Sequence, residues 1–392
     1  MNHTPRILIV DDEPFNVDYL EQELEDLNYE TIAAVNGEEA LEKIASESPD
    51  LVLLDIMMPV MDGFSVLEKV KANSTIRSTP IIVISANNDL KSVVKGIELG
   101  AEDYLPKPFE PTLLKARIQS SLEKKRLRDL QDMYLKSLER EMNIARNIQK
   151  EFLPNELPAI NGWEVASYFK AAKEVAGDFY DAFLLPDGML VFLVADVCGK
   201  GLGAALYMTL FRSLIRAAST SDQFSPGDEP KNYTPAERLL HAVSLTNNYV
   251  IETHDTACMF ATVFIGILNP ENGHLTYINC GNDPALIIGE DGKIHAELPP
   301  TGAAVGVKVP PKFTVKELTL AEGELLLAFT DGIPDTQNIN RDFYGNNRLR
   351  ELLTANSTPA ELLKRIETSL NEFIGEAEQF DDITLMAIKR KA

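Results

Sequence analysis

Aspartates that directly follow short apolar runs are the residues of this chain whose type and spacing could do chemistry. Near the N-terminus, Asp11 and Asp12 follow the run ILIV, and Asp55 ends the run LVLLD. Carboxylates that meet at one edge repel one another unless a divalent cation lies among them, and Mg²⁺ prefers oxygen ligands. A carboxylate held beside Mg²⁺ and a lysine such as Lys107 can attack a phosphoryl donor, because the cations neutralise the transition-state oxygens.

A second set of aspartates lies in the C-terminal half, in GDFYD at 177–181, ADVCGKG at 195–201, TDG at 330–332 and DDIT at 381–384. An aspartate after an apolar strand is a poor core residue, but it can aim a carboxylate at a shared cation. The four first candidates are Asp178, Asp196, Asp331 and Asp381. They would overload one Mg²⁺ but suit two hard cations, which activate a bridging water and bind phosphate oxygens. Taken singly, each aspartate is more simply explained by a cap or turn.

The lysine of GKG at 199–201 has two interpretations. A glycine-flanked lysine can suggest phosphate binding, but the pattern GxxxxGK[ST] is absent from the sequence. The glycines more simply allow a tight turn between a strand and a helix. Lys200 therefore stays a weaker candidate for a phosphate contact.

Alternating strand and helix patterns surround the first set of aspartates. Apolar, β-branched runs at 7–10, 51–55 and 81–85 alternate with amphipathic stretches at 15–27, 38–46 and 64–72. Buried strands that alternate with helices predict a doubly wound α/β domain with a parallel sheet. The carboxyl ends of parallel strands converge on one edge, so we expect the site at this edge.

The segment from Pro111 to Phe152 has a different pattern. It is charged, lacks glycine, and carries apolar residues at spacings of three or four from Leu127 onward. This predicts one long amphipathic helix with a narrow apolar seam, which Pro154 and Pro158 end. The seam can pack against the domains or pair with a second copy. We favour a homodimer through this linker helix, because the stretch is long and uninterrupted.

The rest of the chain mixes strands and helices. Strand-like runs lie at 189–196, 259–268, 275–280, 284–289, 324–331 and 382–388, and helical stretches at 202–218, 235–252 and 358–374. Several strands follow one another across hairpin signals such as NPENG at 269–273, which predicts an α+β domain with antiparallel sheets. The polar stretch 219–235 contains Pro and Gly and is predicted to be a loop.

The composition narrows the class of partner. The chain has 37 Lys+Arg against 60 Asp+Glu, a net charge of −23, so nucleic acid, which needs clustered cations, is not expected as a partner. Three cysteines without CxxC spacing are expected to be reduced thiols. No apolar run reaches the roughly 18 residues of a membrane span. The start has no signal-peptide pattern, so we expect a cytoplasmic protein without a membrane segment.

The N-terminal part closely resembles the response-regulator receiver family over essentially all of residues 6–122. The matching motifs are IVDDE at 9–13, LLDIMMPVMDG at 53–63, ISA at 84–86 and YLPKPF at 104–109. The resemblance implies a flavodoxin-like fold in which Asp55 accepts a phosphoryl group from a sensor histidine kinase. Asp12, Asp55 and the Met57 carbonyl would bind Mg²⁺ directly, and Asp11 would bind it through water.

The same resemblance assigns the residues that respond to phosphorylation. Lys107 would pair with the phosphoryl oxygens, Ser85 stands where the family has Thr or Ser, and Tyr104 is the switch aromatic. The alternative is a doubly wound domain whose acidic edge is ordinary surface. The ordered set of motifs argues against this alternative.

The C-terminal motifs, in their order, resemble the metal-dependent protein phosphatase (PPM) family, in the branch of the bacterial sporulation and stress-response phosphatases. The resemblance covers about residues 145–390, with IQxxxLP at 148–154, EVAGDFYD at 174–181, DVCGKGLGAALYM at 196–208, FTDGIPDTQN at 329–338 and QFDDITL at 379–385. It implies an αββα sandwich that uses two Mn²⁺ or Mg²⁺ ions to hydrolyse phosphoserine or phosphothreonine in a protein. The common substrate in the family is a phosphorylated anti-sigma-factor antagonist.

This second resemblance also implies a ligand set. Asp196 would bridge the two metals. Asp178 and the Val197 carbonyl would complete one site. Asp331 and Asp381 would hold the other.

Three positions depart from the pattern of the PPM family. The usual GGD is AGD at 176–178, and the usual Gly-His-x-Pro is GNDP at 281–284. Because that histidine is not a metal ligand, we expect activity to be retained, although Asp283 adds negative charge near a site for an anionic substrate. Asp382 occupies a position that is Asn in many relatives, so it ranks below Asp381.

Three hypotheses of different classes follow. The leading one is a two-component response regulator with a receiver at 5–122, a coiled-coil-like linker helix at 123–153 and a PPM-type phosphatase at 154–390. The alternative is a pseudophosphatase adaptor whose receiver gates protein binding, but an adaptor has no reason to keep the four acidic ligands. A DNA-binding response regulator is disfavoured by the charge and by the absence of a basic C-terminal helix-turn-helix pattern.

Overall fold

The computed structural model describes residues 4–86, 90–108, 110–220, 233–254, 258–307 and 312–392. The chain divides into two compact units, residues 1–139 and 140–392. Most of the loop predicted at 219–235, namely residues 221–232, and Phe109 of the YLPKPF motif lie outside the described residues. None of the helices in the described ranges has both the length and the apolar character that a membrane crossing needs.

The N-terminal unit contains a five-stranded parallel sheet and helices on both of its faces. Its strands are β1 (Arg6–Val10), β2 (Glu30–Ala34), β3 (Leu51–Asp55), β4 (Ile81–Ser85) and β5 (Asp103–Pro106). Its helices are α1 (Pro14–Glu25), α2 (Gly37–Glu47), α3 (Gly63–Ala72), α4 (Leu90–Glu98) and the first part of α5 (Pro111–Phe152).

The strand order is β2-β1-β3-β4-β5, and every pair is parallel. Alternate residues of β1 enter different cores: Leu8 and Val10 pack on one face, and Ile7 and Ile9 on the other. A strand that is buried on both faces needs a continuous apolar run, which is what ILIV supplies. The doubly wound α/β fold predicted from the sequence is confirmed.

Helix α5 is 42 residues long, and the predicted helical linker is confirmed. Near its start, Leu114 and Ile118 are buried against the five-stranded parallel sheet. Further along, apolar side chains of the seam are exposed, with Leu127 52% and Leu130 54% exposed. Later in the seam, Leu138 and Met142 are half-buried.

The C-terminal unit contains ten described strands. They are β6 (Trp163–Lys170), β7 (Phe179–Leu184), β8 (Leu190–Val197), β9 (Ala261–Leu268), β10 (His274–Cys280), β11 (Ala285–Ile288), β12 (Ile294–Leu298), β13 (Lys316–Thr319), β14 (Leu325–Phe329) and β15 (Ile383–Arg390). Its helices after α5 are α6 (Leu202–Ser219), α7 (Pro235–Thr253), α8 (Gly345–Glu351) and α9 (Pro359–Ile374).

These strands form two antiparallel sheets, β13-β10-β9-β8-β7 and β12-β11-β14-β15-β6. Phe192 of β8 and Met386 of β15 belong to one core, so the two sheets pack face to face. Leu193 of β8 faces α6 and α7, and Leu327 of β14 faces α8 and α9. Alternation along each strand thus separates an inter-sheet core from two helix-sheet cores. The predicted αββα sandwich is confirmed.

Candidate phosphoryl-accepting site and metal centre

The candidate site of the receiver lies at the carboxyl ends of β1 and β3. Asp11 and Asp12 follow β1 and Asp55 ends β3, so parallel pairing brings the three side chains together. Ligand oxygens of all three lie within 4.8 Å of one another. Within the described ranges, no other three His, Cys, Asp or Glu side chains meet this distance. The set fits a single oxygen-liganded cation such as Mg²⁺.

Lys107 joins two of these carboxylates. Its Nζ lies 2.7 Å from Asp11 Oδ2 and 2.9 Å from Asp55 Oδ2. Burial acts to lower the pKa of Lys107, but the hydrogen bonds to the two aspartates outweigh it and raise the pKa above its usual value. The lysine therefore stays charged, as a group that must neutralise phosphoryl oxygens has to be.

The other receiver candidates lie along the same edge. Ser85 ends β4 and is fully buried, and its carbonyl accepts the backbone N–H of Lys107 at 2.9 Å. Tyr104 lies in β5 and packs against the apolar core. The Met57 side chain is 70% exposed, so its candidate contribution is the backbone carbonyl. Asn16 was missed by the sequence analysis: its Nδ2 donates to Asp11 Oδ1 at 3.0 Å.

In the C-terminal unit, antiparallel pairing brings the acidic motifs together in pairs. Phe179 is opposite Ala195, so Asp178 and Asp196 lie at the same end of β7 and β8. Phe329 is opposite Leu385, so the TDG and DDIT motifs lie at the same end of β14 and β15. Each pair thus belongs to a different sheet of the sandwich.

Two threonines connect the pairs. Asp178 is 1% exposed, and its Oδ2 accepts hydrogen bonds from Thr330 Oγ1 and Thr384 Oγ1, each at 2.7 Å. Both donors come from the opposite sheet. They fix the orientation of the Asp178 carboxylate and leave its other oxygen for a different partner. Neither threonine was singled out from the sequence, although each stands inside a quoted motif.

The aspartates are close enough to perturb one another. Burial, then the charges of Asp196 and Asp382, raise the pKa of Asp178 well above its usual value. Burial raises the pKa of Asp196 to about 6, and the charges of Asp381 and Asp382 contribute. The pKa of Asp331 rises to about 7, first through burial and then through Asp196 and Asp381.

This donor set fits divalent cations that each take few protein ligands. No three of these carboxylates have ligand oxygens within 4.8 Å of one another, so one ion would not satisfy them all. Mg²⁺ is typically held by one or two carboxylates and keeps several waters. At Gly177, a Cβ atom would lie 2.8 Å from the Val197 carbonyl oxygen. Glycine therefore lets the loop of Asp178 approach the end of β8, where that carbonyl lies.

Asp382 has a different set of partners. Its two oxygens accept the backbone N–H groups of Ala172 and Gly177, both at 2.7 Å. Asp382 thereby fixes the loop that carries Asp178. The GNDP motif, which differs from the usual Gly-His-x-Pro of the PPM family, has a structural contact of its own. Asn282 is 2% exposed, and its Nδ2 donates to the Phe329 carbonyl at 2.9 Å, which holds the end of β14.

The end of α5 is bonded to the same loop. Gln149 is buried; its Oε1 accepts the Ala176 N–H at 3.0 Å and its Nε2 donates to the Ala176 carbonyl at 2.7 Å. Arg146 Nε donates to the Glu174 carbonyl at 2.8 Å. The IQxxxLP motif thus contacts the backbone two residues before Asp178.

The N-terminal unit is a parallel α/β domain with aspartates and a lysine at one edge. The C-terminal unit is an αββα sandwich with an acidic cluster, which consists of Asp178, Asp196, Asp331, Asp381 and Asp382. Together they define a response-regulator receiver joined to a PPM-type phosphatase domain. Residues 7–119 match the response regulator receiver domain model, and residues 186–391 match the model of Stage II sporulation protein E (SpoIIE). The second match covers more than half of the 392 residues. The chain belongs to the SpoIIE family.

Similar proteins are longer than the matched region. Protein IcfG of Synechocystis sp. is 41% identical over 265 residues, which is 64% of this chain and 41% of that protein. Probable transcriptional regulator ycf27 of Porphyridium aerugineum is 44% identical over 117 residues, which is 30% of this chain and 48% of that protein. The chain thus spans less than half the length of these relatives.

One solved structure shares the fold of the phosphatase part. The SiaA-PP2C domain of Pseudomonas aeruginosa matches with a TM-score of 0.53 and 21% identity. The match covers 65% of this chain and 98% of that domain. At this identity the likeness extends to the fold alone.

Without divalent cations, the phosphatase unit is expected to lose stability as the pH rises. Asp196 and Asp331 have folded-state pKa values of about 6 and about 7, above the 3.8 of a free aspartate. From pH 3.8 up to about pH 7, the folded state holds protons that the unfolded state has released. The stability of the folded state therefore falls as the pH rises through this window. Cations that replace the protons should prevent the loss.

The only tryptophan, Trp163, lies in the inter-sheet core and reports unfolding of this unit. Its fluorescence should give melting temperatures with chelator and with Mn²⁺ from about pH 5 to pH 8. The gap between the two temperatures is expected to widen as the pH rises. A gap that stays constant over this range would contradict the role of the carboxylates.

Proposed function

We propose that the chain is a response regulator whose receiver controls a metal-dependent phosphoserine/phosphothreonine protein phosphatase. The observation that carries the proposal is the acidic cluster of the αββα sandwich. Burial and the charges of neighbouring carboxylates raise the pKa values of Asp178, Asp196 and Asp331. A surface that only binds a protein gains nothing from this arrangement, whereas a cation site requires it.

Within this proposal, the residues of the sandwich hold two Mn²⁺ or Mg²⁺ ions. Asp196 would contribute to both ions, Asp178 and the Val197 carbonyl would complete one site, and Asp331 and Asp381 would complete the other. Thr330 and Thr384 keep the Asp178 carboxylate in place through their hydrogen bonds. The bound ions would supply an activated water and positive charge for the phosphoryl oxygens.

In the receiver, Asp55 is the proposed phosphoryl acceptor, with a sensor histidine kinase as donor. Asp11, Asp12 and the Met57 carbonyl would hold Mg²⁺ beside it, directly or through water. Lys107, already 2.9 Å from Asp55 Oδ2, would neutralise the incoming phosphoryl oxygens. Ser85 and Tyr104, on β4 and β5, would then rearrange.

The proposed substrate is a phosphorylated signalling protein, with a phosphorylated anti-sigma-factor antagonist as the class that the family resemblance favours. The acidic cluster opens to solvent at Asp331, which is exposed. An exposed site can accept a phosphorylated side chain on the surface of a folded protein.

The proposed path of control is the linker helix. The seam of α5 is exposed at Leu127 and Leu130 and half-buried at Leu138, and a second copy would cover it as a coiled coil. A coiled coil has discrete registers, so it can act as a two-state element. A change of register would move Gln149 and, through its paired hydrogen bonds with Ala176, the loop that carries Asp178.

Replacing Leu130 and Leu138 together by glutamate is expected to yield monomers whose phosphatase rate no longer responds to a phosphodonor. Paired glutamates at facing positions would repel across the seam. The regulated change lost in this way would be about 5- to 150-fold, the usual range of allosteric coupling. Light scattering and phosphodonor-dependent rates measure the two effects.

A matched control is Lys136→Glu with Asn143→Glu, on the opposite side of the helix at 100° per residue. This pair should leave the dimer and its response intact. A monomeric Leu130→Glu, Leu138→Glu variant that still responds fully would rule out the dimeric-helix mechanism, and both site assignments would stand.

Phosphate release by the purified chain tests the proposed activity. With Mn²⁺, wild type should release phosphate from a phosphoserine or phosphothreonine peptide, and a chelator should stop it. The adaptor alternative predicts protein binding without release under any divalent cation. Release that is insensitive to chelator would show that the cation mechanism is wrong.

A further inference from the structure

Lys200 makes three close contacts at the edge of the acidic cluster. Its Nζ lies 2.8 Å from Asp381 Oδ2 and donates to the Phe380 carbonyl at 2.7 Å. The ammonium group also lies 4.2 Å from the centre of the Phe380 ring. Two of the three donors of the ammonium group are thus directed at oxygens, and its charge lowers the pKa of Asp196.

The position of Lys200 on Asp381 conflicts with a cation there. A divalent ion would coordinate a carboxylate oxygen at about 2.1 Å. An ammonium group on the same oxygen would then face a like charge at close range, so the lysine and the ion compete for Asp381. The ammonium group of Lys200 therefore supplies the positive charge that a cation would otherwise supply to Asp381.

The loop of Lys200 has room to move. Gly199 and Gly201 flank the lysine with φ of 91° and 79°, and a Cβ at either would meet no heavy atom of the described residues within 4 Å, its chain neighbours aside. The Lys200 side chain is 36% exposed. The open space beside both glycines leaves the turn room to carry the ammonium group away from Asp381.

We propose that Lys200 is a cation-sensitive latch. It neutralises Asp381 when no ion is bound there, and it yields Asp381 to an incoming cation. The freed ammonium group, still beside the site, then contacts the phosphoryl oxygens of the substrate. This inference rests on the proposed function, and it assigns to one lysine both the competition with the cation and the phosphate contact.

The reactivity of Lys200 in wild type tests both halves. An amine-acylating reagent, with modification of each lysine measured by mass spectrometry, should label Lys200 weakly without cations and more strongly with Mn²⁺. Inorganic phosphate added to the Mn²⁺-loaded protein should protect it again. Lys364, which pairs with Glu367 at 2.7 Å on α9, should show no change and serves as the reference. Labelling of Lys200 that does not respond to Mn²⁺, or to phosphate after Mn²⁺, overturns the latch.

The cation affinity of Lys200→Met gives an independent measurement. Lys200 would no longer compete with the ion for Asp381, so Mn²⁺ should bind more tightly. The expected gain is about 2- to 5-fold, the range of a partly exposed ion pair. Lys364→Met should bind as wild type does, and all variants share the receiver site, so a difference arises in the phosphatase unit. Unchanged or weaker binding by Lys200→Met overturns the proposal. If wild type releases no phosphate from a peptide, the proposed function fails, while these binding measurements still decide the latch.

Discussion

Asp196→Asn is expected to lower phosphate release by about 100- to 1000-fold or more, a loss typical of removing one charge-stabilising group. The charge of Asp196 raises the pKa of both Asp178 and Asp331, so this carboxylate interacts with both halves of the cluster. A neutral amide at this position would weaken both proposed cation sites at once. Phosphate release from a phosphopeptide with Mn²⁺ measures the effect.

The same variant should leave phosphorylation of the receiver intact, because Asp55 lies in the other unit. Asp187→Asn, in the exposed turn before β8, makes the same chemical change away from the cluster and should keep the wild-type rate. An Asp196→Asn protein with more than about a tenth of the wild-type rate would show that Asp196 is not the shared ligand.

Asp55→Ala is expected to abolish labelling of the receiver by acetyl phosphate or beryllofluoride in the presence of Mg²⁺. Asp55 is the carboxylate that Lys107 contacts at the end of β3, and its Oδ1 accepts the Ile56 N–H at 2.7 Å. Alanine offers no oxygen to phosphorylate. Intact-mass spectrometry after acetyl phosphate treatment measures the modification.

Asp18→Ala, which removes an exposed carboxylate from α1, is the matched control and should be labelled as wild type is. Phosphatase activity without a phosphodonor should persist in Asp55→Ala, since the acidic cluster belongs to the other unit. Labelling of Asp55→Ala at the wild-type level would exclude Asp55 as the acceptor.

The sequence predicted central strands well and edge strands poorly. The strands at the centres of the three sheets, such as β8 and β14, read as apolar runs because both of their faces are buried. Five strands were not recognised from the sequence, and each lies at the edge of its sheet: β2, β6, β7, β12 and β13. Edge strands such as β13, whose residues are mostly exposed, carry polar residues that a pattern of hydrophobicity does not detect.

For the candidate sites, the aspartates were identifiable because each follows an apolar run and stands in a motif. Their supporting contacts were not. Thr330 and Thr384 reach Asp178 across 152 and 206 residues of sequence, and Gln149 reaches Ala176 across 27. Such bonds depend on how two sheets and a helix pack, which local patterns do not encode. The same holds for the ion pair between Lys200 and Asp381.

The rate of phosphate release with and without beryllofluoride tests the central claim most directly. Purified full chain, a phosphoserine peptide, Mn²⁺ for the phosphatase and Mg²⁺ for the receiver would be assayed for wild type and Asp55→Ala. We expect beryllofluoride to change the wild-type rate about 5- to 150-fold and to leave the Asp55→Ala rate unchanged. Equal rates for wild type in both conditions, or the same change in Asp55→Ala, would contradict a phosphatase controlled by its receiver.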